Sequence, residues 1–220
     1  MKKTARYRIV LLSLALCAGL LAGCGNSYTA KDLVKDTLDL YFLDSPSERY
    51  LEQVNMTAEE AHDAFEHWLS LEIPFFCREF EVELDSCQAQ IETQIVELYH
   101  EIYRHSKYEV GESGKSGSAY PVEVTIYPID ILQKVFDSYL DGYAADFNER
   151  IASGAYDGIS EVEFETLWAQ GVIDLVNEHL GELDHLAPET MTVRVEKDTD
   201  GLYFVNTEDF QRADELILAY

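Results

Sequence analysis

The stretch Tyr120-Pro121-Val122-Glu123-Val124-Thr125-Ile126-Tyr127-Pro128-Ile129-Asp130 alternates apolar and polar side chains and then stops at a proline. A period of two puts Val122, Val124 and Ile126 on one face of a strand. Pro128 and Asp130 end that strand and begin a helix. Upstream, Tyr108 and Val110 alternate in the same way, and the Gly/Ser-rich segment from Gly111 to Ser118 supplies a turn. A β-hairpin with one buried face is predicted. Downstream, Met191, Val193 and Val195 make a strand, Asp200-Gly201 is a hairpin turn signal, and Leu202 to Val205 return.

The rest of the chain follows the helical period. Thr29 to about Leu43 carries Leu33, Leu38, Leu40, Tyr41 and Leu43 on an apolar side, and Asp44-Ser45-Pro46-Ser47 breaks it. A short helix runs from about Ser47 to Val54. Thr57-Ala58-Glu59-Glu60 fits a capping box, followed by Ala61, Phe65, Trp68 and Leu71 on one face. Pro74 disturbs the end of that helix. The next is expected from about Asp85 to His105, with Ile91, Ile95, Leu98 and Ile102 as its stripe. After Asp130, Leu132, Phe136, Tyr139, Tyr143, Phe147 and Ile151 predict one continuous helix. Ser160-Glu161-Val162-Glu163 caps a long one to about Leu183, and Thr207 caps a last helix carrying Phe210 and Ala213.

This order predicts an α+β fold: helical hairpins packed on one antiparallel sheet built from two β-hairpins. Each half reads as a helical pair, a hairpin and the start of a helix, which suggests an internal duplication. No linker-like stretch separates the halves, so residues 30–220 are read as one acidic domain.

Residues 1–23 read as a signal peptide. Lys2, Lys3, Arg6 and Arg8 precede an apolar run from Ile9 to about Leu21. As a helix that run reaches roughly 20 Å, short of the roughly 30 Å hydrocarbon core. It ends in Leu21-Ala22-Gly23-Cys24, which resembles the bacterial lipobox. The resemblance implies cleavage between Gly23 and Cys24 and thioether lipidation of Cys24, leaving residues 24–29 as a short tether under roughly 20 Å long.

The formal net charge is -26. The leader holds four basic residues and no acidic one, so the chain from Cys24 onward carries -30. The acids alternate with apolar residues and read as solvated helix faces. Nucleic acid needs a basic footprint, which is missing, and docking flat on an anionic leaflet through electrostatics is equally disfavoured. A cationic partner, or weak divalent-cation binding by clustered carboxylates, is favoured. Beyond the leader and Cys24, the cysteines are Cys77 and Cys87. Export permits a disulfide between them; two small buried residues at a turn between helices are the alternative.

Catalytic and metal signatures are weak. His62 and His67 are five apart, as are His100 and His105; that is roughly 140° around a helix, wrong for one metal. His179 and His185, six apart, are no better. Asp198-Thr199-Asp200-Gly201 resembles the start of a calcium loop but lacks the later ligands. Gly114-Lys115-Ser116 lacks phosphate-loop spacing. Tyr99, Tyr103, Tyr108, Tyr120 and Tyr127 either line a groove or pack the core, and packing is the simpler reading. No cofactor, metal ligand or catalytic residue is expected.

The lipobox, Leu33-Val34-Lys35, Tyr50-Leu51 before Met56-Thr57-Ala58-Glu59-Glu60-Ala61, Leu98-Tyr99-His100-Glu101-Ile102-Tyr103, Lys107-Tyr108-Glu109-Val110 and the segment from Val122 to Asp130 together resemble a group of uncharacterised lipoproteins from Gram-positive, largely gut, bacteria. The resemblance implies a lipid anchor on the extracytoplasmic face of a cell membrane and brings no catalytic residues. The expected function is a non-catalytic binding or interaction module for a protein or small-molecule ligand. The alternatives are a cell-envelope hydrolase using a carboxylate pair and a small-solute capture protein, the latter ranked last because no βαβ alternation is present.

Overall fold

In a computed structural model, residues 28–116, 119–199 and 201–220 are described. The strands are β1 (Lys107–Ser113), β2 (Tyr120–Tyr127), β3 (Glu189–Lys197) and β4 (Tyr203–Val205). They form one antiparallel sheet in the order β1-β2-β3-β4. The two hairpins join through β2 and β3, with Val122 opposite Val193 and Val124 opposite Met191. The α+β class and the single sheet agree with the alternation in the sequence.

The residues gather into two compact units, each drawn from three separate stretches: 28–65, 107–127 and 188–217 in the first, 66–106, 128–187 and 218–220 in the second. The first unit contains the whole sheet, α1 (Ala30–Leu43), α2 (Glu48–Val54), most of α3 (Ala58–Ser70) and α9 (Thr207–Ile217). Val122, Val124, Ile126, Val193 and Val195 are buried on one sheet face, as the alternation requires. Phe210 of α9 stacks on Phe42 of α1 with ring centroids 5.8 Å apart. Arg194 on β3 holds Asp209 of α9 through two side-chain bonds, Nε to Oδ2 at 2.6 Å and Nη2 to Oδ1 at 3.1 Å, a charge-assisted fork.

α1 departs from the single apolar side expected of it. It is buried on almost every side, and its buried residues include Asp36, Thr37 and Asp39. Each has a partner. Asp36 accepts from the Tyr28 hydroxyl at 2.7 Å and the Ser47 amide at 3.2 Å. Thr37 donates to the Leu33 carbonyl. Asp39 accepts from the Tyr108 hydroxyl of β1 at 2.6 Å and pairs with Lys35. Thr29 caps the helix in a capping box with Asp32. Tyr28 and Thr29, read as the end of a tether, therefore belong to the fold.

The second unit is helical, with the end of α3, α4 (Ile73–Glu79), α5 (Gln90–Tyr103), α6 (Ile131–Ser138), α7 (Leu140–Ala152) and α8 (Glu161–His179). Pro74 sits near the start of α4, where its missing N–H costs nothing. α5 begins at Gln90, later than expected, because Leu84–Ser86 forms a separate 3-10 turn. Ile91, Ile95, Leu98, Leu132, Val172 and Val176 are buried. Close approach of α7 and α8 depends on Gly171: a Cβ there would lie 1.8 Å from the Tyr143 hydroxyl. Ile129 bridges to His185 and to Leu218, which straps the last three residues into this unit.

Two further expectations change. The continuous helix after Asp130 is two helices, broken at Tyr139. The last helix is capped by Asn206, whose side-chain oxygen accepts the Asp209 amide at 3.1 Å, in place of Thr207. The hairpins enter the sheet alike but continue differently: α9 stays in the first unit, and α6 belongs to the second.

Burial, then the bond to Asp39, push the Tyr108 phenol far above its ordinary value, so it serves as a neutral donor. Tyr108→Phe leaves Asp39 short of a partner and should cost about 1–3 kcal/mol, measured by urea denaturation. Thr125→Val on the outer sheet face should change stability by under about 0.5 kcal/mol.

Candidate functional site

The break at Tyr139 builds the most chemically suggestive cluster, within the second unit. Tyr139 leaves the helical path between α6 and α7 and stacks on His179 at the end of α8, with ring centroids 3.6 Å apart and planes 12° from parallel. Both side chains reach Glu182. Its Oε1 lies 2.8 Å from His179 Nδ1, and its Oε2 accepts from the Tyr139 hydroxyl at 2.8 Å. Lys134 donates to the Glu182 carbonyl and pairs with Asp130 Oδ2 at 2.9 Å. Asp130 Oδ1 accepts the Asp184 amide at 2.8 Å.

The electrostatics follow from these contacts. The His179 hydrogen bond, then that from Tyr139, lower the Glu182 carboxyl below its ordinary value. The same bond to Glu182 raises the Tyr139 phenol, and Asp130 raises the Lys134 ammonium. A carboxylate at Nδ1 fixes an imidazole in the tautomer that proton transfer or ligand capture would use at Nε2. The His179 side chain is 16 % exposed and that of Glu182 49 %, so the dyad lies at the surface of its unit with the ring mostly covered.

The other flagged residues are dispersed. Gly23, Cys24 and the leader lie outside the described residues, as does part of the turn after Gly114. Cys77 ends up in α4 and Cys87 just after the 3-10 turn, both half-buried free thiols. Burial, then Cys87, push the Cys77 thiol up to about 11. His62 lies 2.7 Å from Asp44, His100 3.6 Å from Glu66, and His185 Nε2 2.9 Å from the His105 carbonyl. Among the described residues, no three or more His, Cys, Asp or Glu side chains group as metal ligands. Gly201 takes a left-handed φ of 88° with its amide on the Asp198 carbonyl, the geometry of a turn. Tyr99 and Tyr103 are fully buried, and Tyr108 is turned onto Asp39, so these three pack the core.

Two contacts of the cluster follow helical spacing that sequence reasoning passed over: Asp130 to Lys134 at i,i+4 and His179 to Glu182 at i,i+3. Tyr139 has no local signal, because its partner is 43 residues away.

No family model matches the chain, and no curated protein matches it. Among solved structures, the crystal structure of a "putative lipoprotein" (ycdA) from Bacillus subtilis is similar, with a TM-score of 0.56 at 12 % identity. The match covers 87 % of this chain and 56 % of that one, so this chain spans little more than half of its neighbour's length. At that identity the likeness carries the fold alone.

Two measurements check this geometry. Glu182 titrates lower folded than unfolded, so its contribution is present above the unfolded value of about 4.3 and is lost as pH falls through the folded one. Glu182→Gln should therefore flatten the loss of thermal stability on acidification below that value. Alkylation of the unfolded protein without reductant should label both Cys77 and Cys87; labelling of the pair only after reduction would establish a disulfide.

Proposed function

We propose that this chain is a lipid-anchored, extracytoplasmic binding protein. The carrying observation is the lipobox Leu21-Ala22-Gly23-Cys24 at the end of an apolar run too short to cross a bilayer. No helix among the described residues is long and apolar enough to cross a membrane, which suits a lipid anchor. The description of the Bacillus subtilis neighbour as a lipoprotein agrees with it. Acyl chains make a durable anchor because each buried CH2 contributes about 0.8 kcal/mol.

Binding in preference to catalysis follows from the weak catalytic and metal signatures of the sequence. The charge of -30 beyond the leader favours a cationic partner.

Cys24→Ala expressed in the native host should move the protein from the membrane fraction to the soluble one and remove the acyl mass from the N-terminal peptide. Unchanged partitioning in that variant would rule out the anchor.

A further inference from the structure

We propose that the end of the first unit around Tyr28, with the first turn of α1 and Arg49, rests on the headgroup surface of the membrane that holds Cys24; this rests on the lipid-anchor reading above. The observation behind it is how firmly the first described residues are held. The Tyr28 ring is buried and its hydroxyl is bonded to Asp36. The Arg49 guanidinium lies 5.1 Å from the centre of the same ring. At the next residue, Thr29 receives the Asp32 amide at 3.1 Å and gives its own amide to Asp32 at 2.8 Å. From Tyr28 onward the chain has no slack to release without breaking these bonds.

Only Gly25, Asn26 and Ser27 separate Cys24 from Tyr28. Four residue steps span at most about 14 Å. The polar layer of one leaflet is itself roughly 5–7 Å deep. Tyr28 is thereby held within about a side-chain length of the outermost headgroup atoms, and the surface around it is the part of this unit that meets lipid.

The polar groups at this end are engaged within the fold. Asp36 holds Tyr28 and the Ser47 amide, Asp32 caps α1, and Lys31 pairs with the outward-facing Glu112 at 2.6 Å. Arg49 lies over the Tyr28 ring. The length of the tether, and not the charge of this surface, is what brings it to the headgroups.

α1 supplies an internal ruler, since its 14 residues extend roughly 21 Å from the anchored end. The test uses the full, acylated protein with Cys77→Ala and Cys87→Ala. A bimane probe is attached through Lys31→Cys, Glu48→Cys or Ser45→Cys, the last at the far end of α1. The vesicles contain phosphatidylcholine and phosphatidylglycerol with a headgroup nitroxide lipid, and flotation is measured first. Quenching at position 31 should exceed that at position 45 at least twofold, with position 48 between them. Inserting 20 Gly/Ser residues between Ser27 and Tyr28 should at least halve it while flotation persists. Equal quenching at all three positions, or an insertion without effect, overturns this orientation and leaves the anchor standing. Failure to float overturns both.

Discussion

Two carboxylates inside a buried helix set the terms for the first unit. An unpaired buried charge costs several kcal/mol, so α1 can lie at the centre only if Asp36 and Asp39 are both satisfied. Their partners come from widely separated parts of the chain: Tyr28 before the helix, Ser47 after it and Tyr108 on the first strand. The sheet, the start of the fold and the α1–α2 turn are thus fixed by one helix. Apolar packing of Phe42 on Phe210 then adds α9. The polar contacts determine which arrangement forms, and the buried Leu, Val and Phe side chains supply most of the driving force.

Much of this was legible in advance, for a physical reason. Strand alternation is a local property, so Val122, Val124 and Ile126 declared their face without knowledge of any partner. Capping boxes are equally local, and those at Thr57 and Ser160 formed as read. What could not be read depended on distant partners. Asp36 and Asp39 look like solvated acids until Tyr28 and Tyr108 are placed. Tyr139 fits a continuous helical stripe until His179 and Glu182 draw it out of the helix. The division into two units was hidden as well, because the stretches of one alternate with those of the other. Of the site, the i,i+3 and i,i+4 pairs were within reach, and the Tyr139 contact was not.

The functional reading joins a sequence motif to a structural one. The lipobox proposes a fixed point on a membrane, and the Tyr28 hydroxyl ties the first described residue to Asp36 of α1. With the anchor proposed above, the protein would meet ligands that pass along the cell surface. The clamped imidazole of His179 is then one place where a ligand could find a polar group already oriented, while the numerous outer acids favour positively charged visitors.

The interleaving of the two units has a consequence for how the polypeptide reaches its native state. Neither core can close around a contiguous stretch of chain. Phe210 must arrive before α1 has its stacking partner, and residues 218–220 complete the helical unit only at the last. Until residues 207–220 are made, α1 lacks Phe210 and Ile129 lacks its bridge to Leu218, with contacts of long sequence separation still to be formed. Such topologies fold slowly and lean on protection from aggregation while they wait.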